Sequence, residues 1–387
     1  MTFCGAKGKK MNYLNEKCRA GGRTEKNMSR LNKFKAEMAK AGFDAAVISS
    51  HVNVRYLTDF DYHDGYVLVT KNRSYVLADF RYIEVARATV NAEEFEVVMP
   101  EGGMLSELAQ LLDENGAKTV AYEDYTLACA DLERMKKIFE GKELVPGASK
   151  IADGLRLYKD ADEIERMKKA QAITDAAFAH IINVLTPNMT EIEAALELEF
   201  FMRKNGSEGV AFDTIAVSGS ASSLPHGVPR NVKLEKGFFT MDFGAKFDGY
   251  CSDMTRTVVI GKADEDMKKL YNTVLKAQTE ALAFLKEGVA CRDADTVARD
   301  IINNAGYEGR FGHSLGHGVG MYIHESPRLS QGARPEDILT RGHVVTVEPG
   351  IYIEGLYGCR IEDMVGVLPD GSIYNFTHSP KEMIELF

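Results

Sequence analysis

The sequence predicts an α+β protein of two domains, a smaller α/β unit followed by a larger one in which strands and helices segregate. Three observations carry this. The chain has 387 residues, more than one hydrophobic core usually organises. Residues 29–150 alternate between helical and strand periodicity, as an α/β unit does. Beyond residue 206, strand patterns run together and two helices follow as a group, which indicates α+β rather than a doubly wound sheet.

In chain order, Ser29 can cap a helix that carries Leu31, Phe34 and Met38 and ends at Gly42. Ala45–Ser49 reads as a strand. Tyr66–Thr70 and Ser74–Ala78 flank Lys71, Asn72 and Arg73, which predicts a hairpin. Helical runs near 80–90, 104–113 and 126–139 interleave with strands near 95–99 and 117–122. Residues 147–160 break the pattern and are assigned to a linker, giving a first domain of 29–150 and a second of 155–387. A long helix from about Asp162 to Leu185 stops at Thr186-Pro187, since proline has no N–H to continue it. Thr190 with Glu193 three residues on forms a capping box, opening a helix that closes at Gly206. Two further helices fall near 264–287 and 292–305, and no internal repeat is legible.

Composition is that of a soluble globular protein, 45% hydrophobic and 27% charged. No stretch approaches the length of a membrane span. The net charge of −10 argues against nucleic acid or an anionic membrane as partner. Residues 1–30 alone carry +6, leaving −16 on the remainder. Residues 1–28, rich in Lys, Gly and Asn and without an apolar run, are expected to be a basic disordered tail rather than a secretory signal. Six cysteines without Cys-x-x-Cys spacing fit a reducing cytoplasm.

The chemistry concentrates in the last third of the chain. Asp242 ends the apolar run Phe238–Met241, and Asp253 lies just before Thr255–Ile260, so two antiparallel strands bring both carboxylates to one sheet face. Glu348 follows Val344–Val347 and precedes Pro349-Gly350; Glu362 follows Arg360-Ile361. Any one acid after an apolar run is more simply a solvated edge residue. Four of them, each beside buried-type residues, are hard to solvate together and suggest a shared site with cations. His317 stands between two glycines, and His226, His313 and His324 accompany it; His343 and His378 are read as structural. Oxygen donors with one imidazole suit Mn²⁺, Fe²⁺ or Co²⁺ better than a thiolate zinc site. Two such ions point to hydrolysis by an activated water.

From about residue 29 onward the chain resembles the creatinase/methionine-aminopeptidase superfamily, whose peptidase domain has the pita-bread fold. The ordered set Asp242, Asp253, His317, Glu348 and Glu362 carries that resemblance. Asn53–Thr58 and Asp79–Tyr82 resemble the first domain of its proline-specific members, aminopeptidase P and prolidase. Ile323-His324-Glu325-Ser326-Pro327 and Arg360, two residues before the last ligand, are similar to their catalytic motifs, and His226 falls where they carry a substrate-side histidine. The resemblance implies a C-terminal pita-bread domain behind a creatinase-type α/β domain. It implies two divalent ions, Mn²⁺ first, with Co²⁺, Fe²⁺ or Zn²⁺ as alternatives, bridged by Asp253 and Glu362, with Asp242 on one ion and His317 and Glu348 on the other. It implies hydrolysis of Xaa-Pro bonds by a hydroxide held between the ions, with Glu348 as proton acceptor and His324 or His313 donating to the oxyanion. Arg360 would orient Glu348 and Glu362 or bind a substrate carboxylate, with a purely structural ion pair as the competing reading. It also implies proline-containing peptides as substrates and a homodimer. Two rival expectations stand beside it, a non-catalytic binding protein of the same fold and a same-fold hydrolase without proline specificity.

Overall fold

The structure is a computed structural model and describes residues 28–387. The basic segment therefore lies outside the described residues except for Met28.

The N-terminal unit is one six-stranded sheet, ordered 96–98, 74–77, 66–70, 45–48, 119–122, 143–146. Strand Ala45–Ile48 is central and buried on both faces. Ala46 and Ile48 pack with Leu31, Phe34 and Met38 of the first helix, while Ala45 and Val47 pack with Leu108, Leu112 and Met135 on the other side. This is the period-2 alternation of a strand with helices on both faces. Ser29 does cap the first helix, Arg30–Lys40, accepting from the Asn32 N–H.

Two segments differ from the sequence expectation. The stretch 147–160, expected as a linker, contains the helix Ala148–Arg156, whose Ala148 and Ala152 join the same core as Phe34. Gly147 and Gly154 weaken the local helical signal, and burial against the first helix overrides it. His51–Thr58, assigned no element, is also a helix, ended by Asp59 in the left-handed region.

The C-terminal part repeats one plan twice. Helices Ala161–Val184 and Glu191–Lys204 pack through Ala177, Phe178, Ile181 and Leu198 on Phe239, Met241 and Val258 of one sheet. Helices Glu265–Phe284 and Cys291–Ile302 pack through Leu270, Val274, Ala294 and Ala298 on Val345, Val347 and Val365 of another. An isolated bridge sits at the start of the second helix in each half, Thr190 to Lys233 and Ala290 to Ile338. The side chains of the two halves differ, so the repeat shows in backbone geometry and not in sequence. The expected capping box at Thr190/Glu193 is formed, and a second, at Asp160/Glu163, opens the helix Ala161–Val184.

Candidate metal centre

Strand alternation aims the acids inward. In Gly237–Phe243, the side chains of Phe239, Met241 and Phe243 face the first helix pair. Thr240 and Asp242 therefore face the opposite way. The neighbouring strand Met254–Ile260 runs antiparallel with Asp242 opposite Thr255 and Thr240 opposite Thr257. Asp253, two residues before Thr255, thus shares the face of Asp242. A short hairpin, Ala245–Phe247 with Tyr250–Cys251, fills the connection between them.

From the second sheet, His317 is central in Gly316–Gly318, Glu348 follows Val344–Val347, and Glu362 precedes Asp363–Val367. A Cβ on Gly316 would collide with the Thr346 carbonyl, and one on Gly318 with the Ser326 carbonyl. The two glycines flanking His317 are thus required by the close approach of the adjoining strands.

One ligand atom each from Asp253, His317 and Glu362 lie within 4.8 Å of one another. His317 Nε2 is 3.5 Å from Asp253 Oδ2 and 3.4 Å from Glu348 Oε1. Its Nδ1 is 3.0 Å from the Gly318 carbonyl and donates to it, which leaves the Nε2 lone pair facing the acids. Asp242 stands slightly apart. Its Oδ2 accepts from Arg360 Nη2 at 2.6 Å, while its buried Oδ1 has no partner. All five residues line one cavity of about 540 Å³, together with His226, His313, His324 and Arg360.

The electrostatics are those of four buried acids facing a single cation, the Arg360 guanidinium paired with Asp242. Burial, then repulsion from Asp242 and Glu348, raises the Asp253 carboxyl well above its ordinary range. Glu362 is raised likewise, by burial and then by Asp253. Burial pushes Glu348 up to about 8, against the opposing pull of Arg360. Burial lowers His317 to about 4. Neutral imidazole, clustered hard carboxylates and an orphaned carboxylate oxygen fit a pair of divalent cations, which would supply the missing positive charge.

Arg360 does not hydrogen-bond Glu348 or Glu362. Its guanidinium donates to Asp242, to Thr255 Oγ1 at 3.0 Å, to Tyr352 Oη at 2.8 Å and to the Pro225 carbonyl at 3.2 Å. It reaches Glu362 only through Thr255, whose hydroxyl donates to Glu362 Oε2 at 2.7 Å. With its fork engaged by protein groups, the expectation that Arg360 binds a substrate carboxylate is replaced by one of fixing Asp242. His313 also departs from expectation as an oxyanion donor. Its Nδ1 donates to the Ser314 carbonyl at 2.8 Å, so its Nε2 is an acceptor and takes the Tyr352 hydroxyl at 3.0 Å. Among the described residues, no hydrogen bond joins the rings of His226 or His324 to another group; the His324 ring lies 4.4 Å from that of His317.

Sequence reasoning passed over Thr255 and Tyr352. Thr255 was findable, since period 2 from Asp253 puts it on the ligand face. Tyr352 lies in the hairpin 350–353/357–360, whose fold-back onto Arg360 has no local signature.

Residues 165–369 match the family described as metallopeptidase family M24, and residues 30–158 match the creatinase/prolidase N-terminal domain. The Xaa-Pro dipeptidase of Pyrococcus horikoshii is 37% identical over 354 residues, spanning 90% of this chain and 96% of its own. Among solved structures, the Xaa-Pro dipeptidase from Bacillus anthracis superposes with a TM-score of 0.87 at 40% identity, covering 92% of this chain and 99% of that one. The X-Pro aminopeptidase from Thermotoga maritima superposes with a TM-score of 0.84 at 35% identity, covering 90% and 100%.

Proposed function

Because the chain belongs to metallopeptidase family M24, with a creatinase/prolidase-type domain ahead of the peptidase domain, we propose that it is an Xaa-Pro exopeptidase, cleaving the bond before proline in dipeptides or at the N-terminus of longer peptides. The observation that carries this is the convergence of Asp253, His317 and Glu362, with Asp242 and Glu348, on one cavity.

In this reading Asp242, Asp253, His317, Glu348 and Glu362 hold two divalent ions, with Mn²⁺ favoured by the donor set. When bound, the ions acidify a water and polarise the scissile carbonyl. The side chains do the rest. Glu348, buried in the cavity and accepting from the Thr346 hydroxyl at 3.3 Å, takes a proton and returns it to the proline nitrogen, which must leave as an amine. His324 is the imidazole free to donate to the developing oxyanion; burial, Arg328 and His226 lower its pKa and keep it neutral at pH 7. Arg360 and Thr255 hold Asp242 and Glu362 in place. Phe212, Ile215, Pro225, Val228, Pro229 and Ile323 form an apolar wall beside these groups. Such a wall accepts a pyrrolidine ring, which offers no N–H to be recognised.

The test compares Ala-Pro with Ala-Pro-Ala-Ala, each with Mn²⁺ and with chelator. Turnover of at least one with Mn²⁺ and of neither with chelator is expected. Turnover of neither with metal bound would remove proline specificity, and failure to bind stoichiometric metal would favour the non-catalytic reading. Arg328 gives a finer prediction. It pairs across the strands with His317, and no described carboxylate engages its guanidinium. A dipeptide places its free carboxylate close to the scissile bond. Arg328→Ala is therefore expected to raise KM for Ala-Pro by roughly tenfold, the value of one charge-assisted contact, and KM for Ala-Pro-Ala-Ala by much less. Equal effects on both would exclude this role. A cytoplasmic homodimer completes the reading; among the described residues, no helix is long and apolar enough to cross a membrane.

A further inference from the structure

His324 belongs to an irregular segment. Between strands Gly316–Gly318 and Glu325–Leu329, the backbone bends through residues 319–324 with few main-chain hydrogen bonds of its own. Its ring makes no described hydrogen bond, so the position of the ring is set by the backbone that carries it. That backbone is pinned from outside the metal centre. The adjoining residue, Glu325, is buried and accepts from Arg156 Nε at 3.2 Å, from Lys159 Nζ at 2.9 Å and from the Tyr322 N–H at 3.1 Å. Its carboxylate lies over Gly320, where a Cβ would collide with it. Arg156 also stacks on the Tyr322 ring at 5.0 Å and bonds Asn53 Oδ1. Asn53 in turn bonds the buried Glu123, which also accepts the Ser50 N–H at 2.6 Å. The Ser50 hydroxyl meets the Tyr322 hydroxyl at 2.8 Å.

The geometry points to Arg156 and Glu325 as positioning residues for His324. The Arg156–Glu325–Lys159 cluster, backed by Asn53, Glu123 and Ser50 of the N-terminal unit, clamps the 320–325 turn so that the imidazole faces the reacting carbonyl. This rests on the Xaa-Pro reading for its catalytic consequence but not for its structural one. Three charges buried together are costly unless mutually satisfied, and here each is. The cluster lies outside the ligand set and has no direct part in holding metal. The first domain then contributes to turnover through residues that line no part of the metal cavity.

The test uses the full chain loaded with Mn²⁺. Glu325→Gln keeps the shape but removes the charge that draws Arg156 and Lys159 together. The expected result is a fall in kcat for Ala-Pro of roughly ten- to a hundredfold, the scale of a displaced catalytic group, with KM within about twofold and both ions retained. Arg156→Gln is expected to behave alike, and Arg156→Lys to recover most of the loss. Should those chains fail to fold, Ser50→Ala removes only the hydroxyl contact to Tyr322 and is expected to lower kcat a few-fold at unchanged KM. Wild-type kcat in folded, metal-replete Glu325→Gln overturns the proposal, as does a loss that tracks metal loss. If the wild-type enzyme cleaves no Xaa-Pro peptide, the reading of function fails separately. The clamp is then judged by the proton NOE between the His317 and His324 rings in histidine-labelled, zinc-loaded protein. It is expected in wild type and lost in Glu325→Gln, and its persistence there overturns the clamp.

Discussion

Asp253→Asn is expected to lower kcat for Ala-Pro by roughly a thousandfold or more, the scale on which hydrolases lose rate when a preorganised charge at the reacting centre is removed. Asparagine keeps the volume and one carbonyl oxygen, so the strand pairing of 254–260 with 237–243 has no reason to change. What changes is charge. Asp253 is the acid nearest His317 Nε2 after Glu348, and one of its carboxylate oxygens lies within 4.8 Å of one from Glu362. If Asp253 is shared between two ions as proposed, a neutral amide in its place binds them less well, and metal content is expected to fall below two per chain. The same substitution has a second, opposite signature. In chelated protein it removes one of the mutually repelling carboxylates that raise Glu362. Chelated Asp253→Asn is therefore expected to melt above chelated wild type at pH 8. Wild-type rates with two ions bound, or a lower melting temperature in chelator, would contradict the role given to this residue.

Chelated wild-type protein is expected to lose stability between pH 6.5 and 8, while metal-loaded protein does not. The carboxyls of Asp253, Glu348 and Glu362 have folded-state pKa values raised above those of the unfolded chain. Above the ordinary carboxylate range, the folded state therefore binds more protons than the unfolded one, and stability falls as pH rises toward the folded values, about 8 for Glu348. The lowered histidines act the other way. His313, His317 and His343, each lowered to about 4 by burial, contribute stability that grows as pH rises from about 4 to the ordinary histidine value of 6.5. Up to about pH 7.5, where the unfolded histidines finish titrating, the two sets oppose each other; above that the carboxyls act alone. A shift of one pKa unit corresponds to about 1.4 kcal/mol. The gap in melting temperature between loaded and chelated protein should therefore widen by roughly 5 °C or more across this window for a chain of this size. Differential scanning calorimetry at pH 6.5 and 8, with Mn²⁺ and with EDTA, measures it. A constant gap would mean that the acids are not held against one another as described.

Much of this protein is legible locally. Ser29 and Thr190 mark helix starts because a capping side chain satisfies N–H groups within its own turn, whereas the Asp160 cap emerged only in the structure. The hairpin 66–77 follows from two apolar runs around a polar triplet. Asp242 and Asp253 share a face because strand periodicity and an antiparallel connection leave no other choice. Helix 148–156 escaped because its stability comes from burial of Ala148 and Ala152 against a helix more than a hundred residues earlier in the chain. The five candidate ligands were legible as residue types in order, but only through resemblance did those types acquire partners.

The sequence alone determined most of the elements, the shared face of Asp242 and Asp253 and the chemical hardness of the donor set, because these depend on residues within a turn or a strand of one another. Only the tertiary structure decided what each polar head meets. Arg360 is spent on Asp242, Thr255 and Tyr352, the His313 ring is committed at both nitrogens, and the turn bearing His324 is tied through Glu325 to Arg156 and the first domain. Those pairings join residues up to 169 positions apart. A buried polar group must find its partner wherever packing brings one, and no short-range pattern encodes that choice.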